Sequence, residues 1–164
     1  MMLRMIFCTL LLAACVAIPA EPPAVDEKSA AHDPEAFTLD FVGSAVEYYR
    51  TYGLEKTVVY FSSSESVRDQ WYVFIIGEDG YTIAHPEPAS IGRDPNERVD
   101  PTGYFYGDDI LSADEEGKWV HYVRRSPETG GLHQKHTWVI RYDGLIFGSG
   151  WYEEEEIEVE ESSG

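Results

Sequence analysis

The densest apolar stretch after the first twenty residues spans 71–76, where aromatic and β-branched residues follow one another without a break. Such a run is typical of a strand that is buried on both faces. Asp79-Gly80 comes next and favours a hairpin turn, and residues 81–84 return as a second strand. Pro86 ends that strand, because proline cannot donate a ladder hydrogen bond. The pattern therefore predicts a β-hairpin.

Before the hairpin, apolar residues recur close to every fourth position, which is the period of a helix with one buried face. Asp33-Pro34 supplies an N-cap and a first-turn proline, so we expect the helix to start near Glu35. Gly53 either ends this helix or interrupts it before residues 54–61. The apolar positions with this period are Phe37, Phe41, Ala45, Tyr49 and Tyr52.

The second half of the chain predicts three further strands, at 118–124, 134–141 and 145–152. Asp143-Gly144 makes a tight turn between the last two, and a short acidic helix is expected within 107–117. Five antiparallel strands, with helices before and between them, make an α+β domain.

The chain has 164 residues, enough for one hydrophobic core, and it carries a net charge of -18 with a pI of about 4.4. So acidic a surface repels phosphate backbones and anionic lipids, which excludes nucleic acid and anionic membrane surfaces as partners. Residues 153–164 hold a dense run of glutamates, and we predict a disordered acidic tail. Loose binding of divalent cations by that tail is the alternative.

Residues 1–20 are predicted to be a signal peptide, because Arg4 precedes an apolar run too short to span a bilayer. Residues 12–15 read Leu-Ala-Ala-Cys, which fits a lipobox and would make Cys15 a lipid anchor. The alternative is ordinary cleavage after Ala20, with Cys15 incidental. Residues 21–34 are rich in proline, alanine and charge and are expected to be a flexible tether.

Seven short motifs follow one another in the rest of the chain: Asp79-Gly80, His85-Pro86, Ile91-Gly92, Asp100-Pro101-Thr102-Gly103, Trp119-Val120-His121-Tyr122, Lys135-His136-Thr137-Trp138 and residues 143–152. Together they resemble the single Cache family of bacterial extracytoplasmic sensor domains. The first turn is one residue shorter than the family pattern. The resemblance implies a PAS-like domain over 35–152, in which a long N-terminal helix packs on a five-stranded antiparallel sheet. It also implies that the aromatic residues along that helix lie in the core, so we assign its tyrosines no ligand role.

The resemblance also implies a ligand pocket, closed by the long loop 86–107, from which Tyr104, Phe105 and Tyr106 are the side chains expected to turn inward. We expect Lys135 to be a counter-ion for a ligand carboxylate, with a lysine on the solvent face as the alternative. Hydrogen-bond donors and a pocket wall complete the candidate ligand-binding set, namely Tyr72, His85, Trp119, Tyr122 and Lys135.

Two reservations apply to this set. His85 could equally be a core histidine bonded to the backbone. Trp119 and Tyr122 are three residues apart, as are Lys135 and Trp138, so strand alternation sends one member of each pair to the other face unless a bulge intervenes.

Catalytic patterns are missing from the sequence: it has no nucleophile elbow, no phosphate-binding loop and no dinucleotide-binding glycine pattern. His121 and His136 could meet across strands, but two histidines fall short of a zinc site. We therefore expect neither an enzyme nor a cofactor.

The expected function is extracytoplasmic binding and sensing of a small organic molecule, with a short carboxylate as the expected class, in the periplasm or cell envelope. Family members usually sit between two membrane helices, and none is evident here. We therefore expect a membrane-bound receptor or transporter to receive the bound state, and contact with the membrane only through a lipid anchor. The alternative is an interaction domain that docks on a membrane partner and binds no ligand.

Overall fold

The computed structural model describes residues 32–158, which form a helix packed on one face of a five-stranded antiparallel sheet. The strand order is β2-β1-β5-β4-β3, so the predicted hairpin occupies one edge. This confirms the predicted α+β fold. The elements are α1 (Pro34–Phe61), β1 (Phe74–Ile76), β2 (Thr82–Ala84), α2 (Tyr106–Leu111), β3 (Lys118–Arg125), β4 (Leu132–Tyr142) and β5 (Leu145–Glu156).

Helix α1 begins where the sequence predicts, since the Asp33 side chain accepts a hydrogen bond of 2.9 Å from the Ala36 N–H. Gly53 interrupts the helix without ending it: its φ of 76° is open to glycine, and the helix resumes as far as Phe61. The buried face of α1 packs on alternate residues of the sheet, and this helix-side core includes Phe37, Phe41, Val42, Ala45, Tyr48, Phe61, Val73, Ile75 and Phe147. In the described part of the chain, no helix is both long and apolar enough to span a bilayer.

Strand β5 continues past Tyr152 to Glu156, so the prediction of a disordered tail is wrong for residues 153–156. The extension is held by pairing with β4, where Glu156 lies opposite His133. Glutamate has a low intrinsic strand preference, so these residues form a strand because they pair with β4 and not because of their local sequence. Residues 159–164 of the predicted tail lie outside the described residues, as do residues 1–31, which include Cys15 and most of the predicted tether.

The long loop between β2 and α2 is fixed by a buried carboxylate. Oδ1 of Asp100 accepts hydrogen bonds from the backbone and hydroxyl of Thr102 and from the Tyr104 N–H. Its Oδ2 accepts a 3.0 Å bond from the Val123 N–H of β3. Asp100 thus ties the loop to β3, the strand at the other edge of the sheet.

Only one of the three aromatic residues predicted to turn inward does so. Tyr106 is 4% exposed, whereas Tyr104 and Phe105 are 39% and 58% exposed, so the prediction is wrong for those two. Tyr106 opens α2 and stacks on a sheet tyrosine, while the hydroxyl of Tyr104 is drawn to the surface by a hydrogen bond to Asp109.

Candidate ligand-binding site

The sheet face opposite α1 carries a groove of about 1670 Å³ that adjoins a small cavity of about 40 Å³. Four residues line both: Tyr72, His85, Tyr106 and Arg124. A buried water needs about 10–15 Å³ measured in this way, so the small cavity has room for about three waters or a ligand of a few heavy atoms.

The small cavity is lined by three arginines and by no acidic residue, in a chain that has 30 acidic and 12 basic residues. Acidic residues outnumber basic ones in the chain as a whole, but around the small cavity the charged residues are all basic. The lining residues are Tyr72, Phe74, Thr82, His85, Ser90, Arg93, Arg98, Tyr106, Ile110, Tyr122 and Arg124.

Arg98 is the most buried of the three arginines, being 4% exposed. Its Nη2 donates to the Thr82 hydroxyl at 3.0 Å, but its Nη1 is buried and has no hydrogen-bond partner. Burial lowers the pKa of Arg98. Gly107 lies against this side chain so closely that an added Cβ would stand 2.9 Å from the Cβ of Arg98. The loop thus holds the buried guanidinium of Arg98 in place but gives its Nη1 no hydrogen-bond acceptor.

Arg124 approaches the same cavity from β3. Its Nη1 donates to the Tyr106 hydroxyl at 3.3 Å, and the ring of Tyr106 stacks on that of Tyr122 at a centroid distance of 3.9 Å. Burial raises the pKa of Tyr122, so its phenol stays protonated. Among residues 32–158, neither Arg124 nor Arg98 forms an ion pair with a carboxylate.

Lys135 lies one layer below the cavity and lines neither space. It is 1% exposed, and its Nζ donates to the hydroxyls of Tyr72 at 2.7 Å and Tyr152 at 3.3 Å. Burial lowers the pKa of Lys135 to about 8. The solvent-face alternative is therefore wrong. Because the Tyr72 hydroxyl accepts from Lys135, its own proton is available to a ligand.

His85 lines the cavity beside Tyr72, with the two rings 4.8 Å apart. Its Nδ1 accepts a 2.9 Å hydrogen bond from the Glu87 N–H, which places the proton of the neutral ring on Nε2. Burial, followed by the charges of Lys135 and Arg124, lowers the pKa of His85 to about 4. At neutral pH this side chain is therefore an uncharged hydrogen-bond donor.

A family model described as a Cache domain matches residues 45–157, which is well over half of the chain. The chain belongs to the Cache domain family. Cache domains are sensory and not catalytic, and they are typically extracytoplasmic. This confirms the predicted family, a single Cache domain.

Solved structures agree in fold with this Cache domain. A methyl-accepting chemotaxis protein from Vibrio parahaemolyticus superimposes with a TM-score of 0.63 at 12% identity, over 77% of this chain and 93% of the other. A second structure, described as the "structural basis for carboxylic acid recognition by a Cache chemosensory domain", gives 0.59 at 19% identity over 76% and 97%. A periplasmic sensor domain of a chemotaxis protein gives 0.51 at 17% identity over 77% and 94%. A comparison with curated proteins gave no match.

The Cache sheet places Trp119 away from the pocket, and the prediction that it forms a pocket wall needs correction. Its ring packs 5.3 Å from those of Trp138 and Trp151, on the helix side of the sheet. Trp119 stands three positions from Tyr122, so strand alternation turns the two side chains to opposite faces. Tyr72, His85 and Tyr122 do lie at the small cavity of this Cache domain.

Sequence reasoning missed the arginines. Arg124 follows Tyr122 by two positions, so alternation along β3 could have placed it on the same face. Arg93 and Arg98 lie in the long loop, where an arginine ordinarily faces solvent, and no local signal marks Arg98 as buried or places either arginine at the cavity. Only the folding of the loop over the sheet brings them to Arg124.

Proposed function

We propose that this Cache domain senses a small carboxylate, bound in the small cavity. The observation that carries the proposal is the set of three arginines around a cavity whose lining has no acidic residue. A buried guanidinium with an unpaired nitrogen is costly, and a carboxylate is the group that pairs with it best, through two parallel hydrogen bonds.

Size supports the same class of ligand. Acetate has four heavy atoms and propionate five, which suits a cavity with room for about three waters. Lactate and pyruvate are within reach if Tyr106 or the loop moves slightly. One of the structural neighbours is described by its recognition of carboxylic acids, which supports this choice of ligand independently of the cavity.

The proposed roles follow from position. Arg98 and Arg124 are the counter-ions, and the hydroxyls of Tyr72 and Tyr122 and the Nε2–H of His85 are donors to the ligand oxygens. Lys135 acts from the second layer, by holding the Tyr72 hydroxyl so that its proton faces the ligand. This differs from a direct pairing of Lys135 with the ligand, because Tyr72 stands between them.

The cellular setting is part of the same proposal. We propose that the domain is extracytoplasmic, held to the membrane through Cys15, and that a membrane-bound receptor or transporter receives its bound state. The alternative, an interaction domain that binds no small molecule, is an outcome of the test below.

The test is a thermal-shift screen of the purified protein with acetate, propionate, lactate and pyruvate, each paired with its uncharged amide as a control. Binding at a hundredfold excess over the dissociation constant stabilises the fold by about 2.7 kcal/mol, which the melting temperature reports. We expect stabilisation by at least one acid and by no amide. A flat screen, repeated after unfolding and refolding to remove any bound ligand, would favour the interaction domain.

A further inference from the structure

A second polar cluster lies on the helix side of the sheet, away from the small cavity. His121 of β3 and His136 of β4 are directly opposite in the strand register, and their Nδ1 atoms are 2.7 Å apart. Side chains of such a cross-strand pair leave the backbone about 4.5–5.5 Å apart and can reach a common point. Two imidazole nitrogens thus converge on the surface.

The orientation of the His136 ring is fixed by a hydrogen bond to Glu153. Its Nε2 lies 2.7 Å from Oε1 of Glu153 on β5, so the ring proton belongs on Nε2 and is donated to the carboxylate. The lone pair of Nδ1 is then directed at His121. A carboxylate that holds a histidine in this way is the usual outer partner of a metal-bound imidazole.

The surroundings of the pair also suit a cation. The ring of His136 stacks on Trp151 with centroids 4.9 Å apart, which restricts its rotation. The carboxylates of Glu153 and Glu35 act electrostatically on His121, which is itself exposed. His121 is exposed and His136 is half-buried, so a dissolved ion can reach the pair from solvent.

We propose that His121 and His136 bind a divalent transition-metal ion through their Nδ1 atoms, with Glu153 as the outer partner of His136. Imidazole ligands suit zinc, copper and nickel. Two histidines are fewer protein ligands than a structural or catalytic zinc site has. Among residues 32–158, no group of three or more His, Cys, Asp or Glu side chains is arranged to hold a metal, so this is a surface site in which water supplies the remaining ligands. Metal binding requires the two rings to part slightly and His121 to carry its proton on Nε2. The site is independent of the proposed carboxylate cavity.

The test is calorimetric titration of the full chain with ZnCl₂. We expect one bound ion in addition to any held elsewhere, and the loss of that ion in His121→Ala and in His136→Ala. Cys8 and Cys15 are other potential zinc ligands in the full chain, so only the component removed by the histidine substitutions counts. Unchanged binding in both histidine variants, or no binding to the wild type, would overturn the proposal.

Glu153→Gln tests the outer partner. Replacing such a partner weakens metal binding by about 10- to 100-fold, and we expect a loss in that range. Glu154→Gln is the matched control, since its side chain leaves the opposite face of β5, and it should bind as the wild type does. Trp151 stacks on His136 and Trp119 stacks on His121, so NiCl₂ should quench part of the tryptophan fluorescence of the wild type. That part should be absent in His121→Ala and His136→Ala, which a purely structural role of the pair would not produce.

Discussion

The two faces of the sheet differ in the kind of side chain that is buried on them. The face under α1 is closed by large apolar side chains such as Phe37, Ile75 and Phe147, each 0% or 1% exposed. The face under the long loop also has an apolar cluster, but beside it lie Arg98, Arg124 and Lys135, without a carboxylate partner in residues 32–158. The helix-side face is thus closed mainly by apolar contacts, and we propose that an anion completes the loop-side face.

Strand β4 shows how one segment serves both faces. Lys135 and Thr137 turn to the loop side, where they contact Tyr72 and Tyr122, while His136 and Trp138 turn to the helix side. Because side chains alternate along β4, a residue that packs on the helix side is followed directly by one that faces the proposed ligand site. Substitutions on the two faces should accordingly affect different measurements.

The largest effect is expected on the helix side. Phe147 is 0% exposed, so Phe147→Ala leaves a cavity in the core and should lower the free energy of unfolding by about 3–5 kcal/mol. Denaturation in urea measures this. Phe105→Ala, at a residue that is 58% exposed, is the matched control and should change stability by less than about 0.5 kcal/mol. Equal losses in both would contradict the assigned core.

The loop side should show a pH dependence that comes from His85. Its pKa is lowered to about 4 in the fold, while the unfolded chain takes up the proton near about 6.5. The contribution of His85 to the free energy of unfolding is therefore fully present above about pH 6.5. It falls by at most about 3 kcal/mol as the pH drops from there towards 4. His85→Asn, which keeps an acceptor for the Glu87 N–H, should remove this component from urea denaturation curves measured between these limits. If wild type and variant change in parallel, His85 is not responsible.

Asp100→Asn should loosen the loop that carries Arg98. The substitution sets an amide NH₂ against at least one backbone donor, which should cost about 2 kcal/mol of stability and speed proteolysis within residues 86–105. Burial acts to raise the pKa of Asp100, but its hydrogen bonds from Thr102, Val123 and Tyr104 outweigh burial and lower the pKa. The advantage of wild type over variant should therefore be present above about pH 3.9 and disappear as the pH falls below it. If the stability difference between wild type and Asp100→Asn persists in acid, the charge of Asp100 is not its cause.

Trp119→Phe should have the smallest effect on ligand binding. The residue packs against Trp138 and Trp151 on the helix side, so carboxylate affinity should change by less than about twofold, which is under 0.5 kcal/mol. A calorimetric comparison with wild type measures this. A large loss of affinity would return Trp119 to the pocket and overturn the assignment of faces.

Most of the fold could be predicted, because its signals are local. The four-residue period of α1, the Asp79-Gly80 turn and the apolar strands each follow from neighbouring residues. The far end of β5 could not, since Glu153–Glu156 form a strand only through pairing with β4. The family resemblance supplied the order of the elements.

The site was less accessible to prediction. Tyr122 lies on β3, His85 directly follows β2, and Tyr72 stands two residues before β1, so their residue types and their places beside predicted strands brought them into consideration. The position of Arg98 depends on the path of the loop between β2 and α2, which no periodicity describes. The burial of Lys135 behind Tyr72 also depends on contacts between residues 63 positions apart.

The central claim, that an anion completes the loop-side face, is tested most directly by calorimetry on wild type and Arg98→Met with acetate and propionate. Losing one partner of a buried charge pair costs about 2–5 kcal/mol, so we predict a loss of affinity of about 30-fold or more. The unfolding free energy of the ligand-free variant should not fall by more than about 1 kcal/mol, because the substitution also removes an unsatisfied buried charge. Equal affinities in the two proteins, or heat from neither acid with the wild type, would contradict the account.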